Sequence, residues 1–327
     1  MAEKLAVWTL VRNLGYCDEV VRIAIDKINK FIKKETAVKC GKLGFTMVEI
    51  LTVVGIIAIL VAVLIPTLTM VRNMAKETQQ RAQLTTIDLA LTAFRSGSGY
   101  NDYPPSSWQG NPLRTDYSGA QMLAEALLGW DLMGFHPESA WRSDGEDENG
   151  TEHVYDLTGT DEENEENLRA RRGPYVELAT ASAFRLNQLF NDPGAVLDAD
   201  TFVICDVFGI RRISRAAGRI VRAGTPILYY RANTSSRIHD TGAPSQRIYN
   251  CIDNLVLTTD IKMTNPEVEH EIRDDGSFES PLFYEYITDA TIFDSTGVRW
   301  PYRPDSYILI SAGADGLYGT SDDICNF

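Results

Sequence analysis

The sequence predicts an α+β fold in which a long N-terminal α-helix packs on a small antiparallel β-sheet head with large loop insertions. The residues from Phe45 to Ile65 are apolar apart from a few small residues and one charge, that of Glu49. Helical spacing of apolar residues continues beyond this run to Phe94. Segments rich in β-branched and aromatic residues come later in the chain. This separation of helical and strand patterns is typical of α+β domains.

The apolar run predicts that the first half of the helix is transmembrane. A helix from Phe45 to Ile65 would span the ~30 Å hydrocarbon core of a bilayer. Residues 1–44 have a net charge of +4, whereas the whole chain has −14. This asymmetry predicts a cytoplasmic N-terminus and an exported remainder. A carboxylate inside the span costs at least ~2.5 kcal/mol, so Glu49 is expected to have a functional partner.

The second half of the helix is predicted to be amphipathic. Leu84, Ile87, Leu91 and Phe94 recur at helical spacing, and the Ser/Gly-rich residues 96–99 end the pattern. Pro66 is expected to kink or loosen the helix rather than end it. The helix therefore covers about residues 45–95, and the head covers residues 96–327.

Several elements of the head are predicted from local patterns. Ser118 is expected to cap a short helix through Leu128. An acidic stretch, 144–167, lies inside a predicted insertion of about residues 132–200. It is interpreted as solvated, and a metal-binding cluster is the alternative. The segment 282–287 fits either a strand or a helix. Strands are predicted at 201–205, 225–231 and 305–311.

Composition and motifs argue against several functions. The acidic balance excludes a basic nucleic-acid footprint. No catalytic motif stands out, so no enzymatic activity is predicted. Four dispersed histidines are interpreted as solvated surface residues: His136, His153, His239 and His270. The three cysteines after the apolar run could form one disulfide or remain buried thiols: Cys205, Cys251 and Cys325. Residues 18–34 have the pattern of a basic amphipathic helix.

The residues from Gly44 to Pro66 resemble the prepilin signature of type IV pilins and type II secretion pseudopilins. The resemblance implies cleavage between Gly44 and Phe45 by a prepilin peptidase, and N-methylation of Phe45. It implies that Glu49 neutralises the new amino group of a neighbouring subunit during filament assembly. It also implies an inner-membrane single-pass precursor whose head is periplasmic or extracellular, with an inner-membrane assembly platform and minor pseudopilins as further partners.

The C-terminal residues resemble the end of the major pseudopilin of type II secretion. That resemblance implies a Ca²⁺-binding loop within residues 311–327. The implied carboxylate ligands are Asp315, Asp322 and Asp323, and the implied carbonyl ligands are Ala312, Thr320 and Asn326. Calcium prefers hard oxygen ligands from flexible chain, and a Gly-punctuated acidic loop offers them. An acidic surface turn is the alternative.

The function expected from these residues is that of a structural prepilin subunit. It would polymerise with copies of itself into a pseudopilus-like filament of the type II secretion kind. The alternatives are a pilin of an adhesion or motility pilus, and a membrane-anchored binding or hydrolytic domain.

Overall fold

The computed structural model describes residues 46–107, 116–190, 197–214, 220–259, 269–273 and 281–327. The chain divides into two compact units, Met1–Pro66 and Thr67–Phe327. The predicted amphipathic helix at 18–34 and the predicted processing residues Gly44 and Phe45 lie outside the described residues.

Helix α1 covers Met47–Gly97 and is 51 residues long. The predicted stripe is confirmed, because Leu84, Ile87, Leu91 and Phe94 are all buried. The helix continues through position 66, as expected for a proline that does not end it. Ser98 N–H closes the last turn on the Phe94 carbonyl at 2.9 Å, just before Gly99 takes a positive φ of 87°.

The predicted transmembrane first half is corrected by the structure. Among the fully described residues, none of the helices combines the length and the apolar character that a membrane crossing demands. The predicted localisation as a single-pass inner-membrane precursor is corrected by the same finding.

Within its described residues, the head contains the following short elements, joined by long connections. The helices after α1 are α2 (Gly119–Leu128), α3 (Asp161–Ala170), α4 (Leu178–Ala181), α5 (Leu186–Leu189), α6 (Leu255–Thr259), α7 (Pro281–Tyr286) and α8 (Ala290–Thr296). The strands are β1 (Ala183–Arg185), β2 (Phe202–Ile204), β3 (Arg211–Ser214), β4 (Ile220–Ala223), β5 (Leu228–Arg231), β6 (Tyr307–Ser311) and β7 (Ile324–Cys325). Two 3₁₀ helices cover Pro244–Gln246 and Cys251–Asn254.

The described strands form three separate antiparallel sheets, which corrects the prediction of one small sheet. Strand β1 pairs with β2, β3 pairs with β4, and the third sheet has the order β5-β6-β7. In the third sheet Leu228 lies opposite Ile310, and Ile310 lies opposite Cys325. The expected strands at 201–205, 225–231 and 305–311 are present in shortened form as β2, β5 and β6.

Strand β6 separates two hydrophobic clusters. Ile308 and Ile310 pack into the cluster that contains Phe283, while Tyr307 and Leu309 pack into the cluster that contains Phe94 of α1. Successive side chains of a strand point to opposite faces, so a strand buried on both sides reads as an unbroken apolar run. All five residues of β6 are buried. Helix α1 therefore packs against one face of the third sheet, within the cluster that contains Tyr307 and Leu309.

Some local predictions are confirmed and others are wrong. Ser118 caps α2 in a capping box with Gln121, as its position before the apolar run predicted. The ambiguous segment 282–287 is largely helical, in α7. The four histidines were predicted to be solvated, but only His153 is half-buried and the other three are buried: His136, His239 and His270. Cys205 and Cys325 are free thiols, and Cys251 is buried.

The predicted solvated insertion is only partly solvated. Helix α3 has no buried residue and begins with a capping box between Thr160 and Glu163. Tyr155, in contrast, is buried, and its hydroxyl donates to Oε1 of buried Glu125 at 2.8 Å. The hydroxyls of Tyr117 and Ser139 donate to the same carboxylate. The insertion is therefore fastened to α2 through a buried carboxyl group.

Candidate functional site

The first candidate site is the start of α1. The Glu49 carboxylate accepts hydrogen bonds from the Thr46 backbone N–H at 2.8 Å and from the Thr46 hydroxyl at 2.9 Å. In return, the Glu49 N–H donates to the Thr46 hydroxyl at 3.3 Å. The backbone and side-chain hydrogen bonds of Thr46 lower the pKa of Glu49. Glu49 is thus a charged residue that closes a capping box at the helix N-terminus.

Capping boxes with a Ser or Thr cap are also present at the starts of α2 and α3. The Glu163 carboxylate accepts from the Thr160 N–H and hydroxyl, each at 2.8 Å. In the box of α2 the carbonyl oxygen of the Gln121 amide accepts from the Ser118 N–H at 2.8 Å. The glutamine box shows that this cap does not require a charge. A purely structural role of Glu49 would therefore be satisfied by glutamine.

The apolar side chains that follow Glu49 are exposed. Each of the following is at least half exposed in the structure: Met47, Val48, Ile50, Leu51, Val53, Val54, Ile56, Ile57, Ile59, Leu60, Leu64, Leu68, Met70, Val71 and Met74. Single exposed apolar residues are ordinary, but a continuous apolar surface of this extent marks an interaction site. Because neighbouring positions on all sides of the helix are exposed, the surface can contact more than one partner helix at once.

The second candidate site is the loop between β6 and β7. It contains Gly313 with a φ of 64°, and a Cβ at this position would lie 2.3 Å from the Asp322 carbonyl oxygen. Glycine is needed here because of both the left-handed backbone and the close approach. The loop brings Asp315 and Asp322 together, since Asp322 Oδ2 accepts from the Asp315 N–H at 3.1 Å. Tyr318 fixes the loop to the core through its hydroxyl, which donates to the Pro226 carbonyl at 2.6 Å.

The three predicted carboxylate ligands have different surroundings. Burial raises the pKa of Asp315, and the neighbouring charge of Asp322 adds to the shift. At Asp322, burial raises the pKa, but hydrogen bonds from Thr320 and from two backbone N–H groups lower it, and the net shift is downward. Burial raises the pKa of Asp323 to about 7. Its Oδ2 accepts from Gly319 N–H and from the Tyr286 hydroxyl, each at 2.7 Å. Its buried Oδ1 has no hydrogen-bond partner among the residues that the structure describes.

The predicted carbonyl ligands are less uniform. Ala312 is buried directly after β6. The Thr320 carbonyl accepts from the Asp323 N–H at 3.3 Å. The Asn326 carbonyl accepts from Arg303 Nη1 at 2.9 Å, so the positively charged guanidinium group of Arg303 already contacts this oxygen. Within the described segments, no three His, Cys, Asp or Glu residues form a group that could hold a metal ion. The available donors are nevertheless hard oxygens, and the Asp323 Oδ1 atom lacks a partner, which suits calcium by ligand type.

Sequence reasoning missed a connection between this C-terminal segment and α1. Asp88 Oδ1 accepts from the Tyr307 hydroxyl at 2.8 Å and from Asn326 Nδ2 at 3.2 Å. Asn326 Oδ1 also accepts from the Leu309 N–H at 2.9 Å. Asn326 therefore joins the end of the chain to β6 and to α1. The available sequence signal was an acidic residue at position 88, directly after Ile87 of the buried stripe.

Comparison of the chain with family models, curated proteins and solved structures found no match in any of the three.

Proposed function

We propose that this protein is a structural subunit that is processed after Gly44 and polymerises through α1 into a filament of the prepilin type. The observation that carries the proposal is the contrast within α1. From Gln80 to Phe94, one face of the helix is buried in the head core, but the apolar side chains from Met47 to Met74 are exposed. Burial of apolar surface contributes about 25 cal/mol per Å². Packing of these surfaces between copies is the main energetic term available for assembly.

The proposal assigns Glu49 a role in addition to its cap. A charged carboxylate at the start of an exposed apolar helix can pair with the amino terminus of a neighbouring copy. Pairing would fix the register between two helices that otherwise offer only smooth apolar surfaces. The capping box with Thr46 is a competing explanation for the same glutamate.

Two substitutions separate these explanations. Glu49→Gln keeps an acceptor for the cap, as Gln121 shows at Ser118, but it removes the charge. We expect full-length chains carrying Glu49→Gln or Glu49→Ala to be processed normally and to form no filaments, as judged by electron microscopy and by sedimentation of assembled material. Glu163→Ala is the matched control, because it removes an equivalent cap in α3, and it should assemble normally.

The outcome with glutamine is decisive. If Glu49→Gln assembles like the unmodified chain whereas Glu49→Ala does not, the glutamate serves only as a cap. If both variants assemble, the docking role is wrong. Processing is tested separately by mass spectrometry of the mature chain from cells that contain a prepilin peptidase. We expect an N-methylated Phe45 at the N-terminus, and an N-terminus that remains at Met1 would contradict the proposal.

We further propose that the loop between β6 and β7 binds calcium through Asp315, Asp322 and Asp323, which favours the secretion-type filament over an adhesion pilus. We expect Ca²⁺ to raise the melting temperature of the full-length chain relative to EDTA, because a ligand that binds only the folded state stabilises it. Mg²⁺ should do so less, since it requires stricter geometry. Asp323→Asn should abolish the effect, and Asp305→Asn, an exposed residue before β6, should not. An equal response of Asp323→Asn and the unmodified chain would disprove the site.

A further inference from the structure

The head contains a polar cavity of about 380 Å³ next to the end of β5. Its walls come from residues 105–107, from residues 231–235 after β5, and from the segment Arg247–Asp253. Hydroxyl and amide side chains dominate the lining: Ser106, Ser107, Asn233, Thr234, Ser235 and Asn250. The volume lies within the range of small-molecule sites, but such sites are mostly apolar. A polar lining of this kind suits a hydrophilic ligand.

A buried carboxyl group forms part of the cavity wall. Asp253 is only 6% exposed, and its Oδ2 accepts a hydrogen bond from the Ser106 hydroxyl. Ser106 is itself held in place, because its oxygen accepts from the Arg231 N–H at 2.9 Å. Within the described part of the chain, Asp253 Oδ1 has no hydrogen-bond partner. Burial raises the pKa of Asp253 to about 7, against the opposing influence of nearby Ser106, Asn250 and Ser107.

An unsatisfied buried acceptor is costly and calls for a donor. The charges around the cavity indicate which kind of donor fits. Arg231 forms an ion pair with Asp102, and Arg247 lies over the Tyr284 ring at 4.2 Å while donating to the Gly242 carbonyl. These two guanidinium groups balance the carboxyl groups of Asp102 and Asp253, so the wall has no surplus of negative charge to attract a cationic ligand. An anion would in turn lie against the Asp253 carboxyl group, so a neutral donor fits best.

We propose that this cavity binds a neutral, hydroxyl-rich ligand of the carbohydrate class, with one ligand hydroxyl donating to Asp253 Oδ1. Serine, threonine and asparagine side chains both donate and accept, as vicinal hydroxyls require. Among the described residues, the lining contains no aromatic ring on which a sugar could stack. The site is therefore expected to recognise a hydroxyl pattern by hydrogen bonds, with modest affinity. This proposal does not depend on filament assembly.

The test uses saturation-transfer NMR and calorimetry on the full-length chain. The neutral probes are D-glucose, D-galactose and N-acetyl-D-glucosamine, while sodium sulfate and ethanolamine represent the anionic and cationic alternatives. We expect at least one saccharide to bind and both ions to fail. Asp253→Asn removes the charge with little change of shape and should weaken saccharide binding about tenfold or more.

A second variant does not depend on the buried network. Thr234 is exposed at the cavity, and Thr234→Trp should obstruct it and abolish binding without lowering the melting temperature. Thr291→Trp, at an exposed position of α8 outside the lining, is the control and should bind normally. Binding of sulfate or ethanolamine in place of the sugars would overturn the ligand class. The absence of binding by all three saccharides, or undiminished binding by Thr234→Trp, would overturn the site.

Discussion

The Glu125 network allows a quantitative test of how the insertion is attached. Glu125 lies in α2 and accepts from the hydroxyls of Tyr117, Ser139 and Tyr155. The two tyrosines are buried, and Ser139 is half-buried and within reach of water. Glu125→Ala would leave both tyrosine hydroxyls without an acceptor, at about 1–3 kcal/mol each. The expected loss of stability is therefore about 4 kcal/mol.

The unfolding temperature of the full-length chain, followed by near-ultraviolet circular dichroism, measures this loss. For a head of this size we expect Glu125→Ala to lower it by about 10 °C. Glu138→Ala, at an exposed position of the same segment, is the control and should change it little. A change of less than about 3 °C for Glu125→Ala would show that the tyrosine hydroxyls find other partners, which would refute the reasoning.

Glu125→Gln tests the electrostatic part of the same network. Burial raises the pKa of Glu125 although its three hydroxyl partners oppose the shift. The neutral form is therefore favoured in the folded state, and the stability that it contributes is lost as the pH rises through the raised pKa. Glutamine retains an acceptor but cannot ionise. Relative to the unmodified chain, Glu125→Gln should gain stability as the pH increases, and a constant difference across pH would contradict this account.

Three further predictions concern the core, a close approach and pH. Leu91→Ala should lower the free energy of unfolding by about 3 kcal/mol in a denaturant titration, because Leu91 is fully buried. Leu89→Ala, on the exposed face of α1, should lower it by less than about 1 kcal/mol. Equal losses for the two variants would contradict the orientation of α1. Gly119→Ala should destabilise α2 despite the better helix propensity of alanine, since its Cβ would lie 2.2 Å from the Tyr229 carbonyl oxygen; an unchanged melting temperature would refute that contact. Burial raises the pKa of Asp206 to about 7. Between pH 4 and pH 8 the free energy of unfolding of the unmodified chain should therefore fall by roughly 2–4 kcal/mol relative to that of Asp206→Asn. Parallel pH profiles of the two chains would contradict this prediction.

Patterns that depend on neighbouring residues in the chain were predictable. The stripe from Leu84 to Phe94 and the cap at Ser118 follow from local periodicity and local hydrogen bonding, and the structure has both. Strand β6 was also predictable, because burial on both faces produces an unbroken run of apolar residues. The candidate loop after β6 was identifiable from its glycines and aspartates, although whether it binds calcium stays a prediction.

Features that depend on distant residues were not predictable. His270 was expected to be solvated, but the Tyr318 N–H donates to its Nδ1 at 3.1 Å in a buried contact. His136 and His239 are also buried, and burial lowers the pKa of both. Neither lies in an apolar stretch from which its burial could have been predicted. The partition of the strands into three sheets follows from which pairs meet in space, and short strands carry too little pattern to specify partners.

The sequence by itself determined the order of the N-terminal signature, the extent of the apolar run and the face of α1 that enters the core. These features depend on adjacent residues and on the helical period, so they can be identified from local sequence alone. Only the tertiary structure decided that Glu49 closes a capping box, that Asn326 joins the chain end to Asp88, and that Asp253 lines a polar cavity. The physical reason is that hydrogen bonding and burial depend on which residues come together when the chain folds. Ser106 and Asp253 are 147 residues apart in the chain, so no local sequence pattern predicts their hydrogen bond.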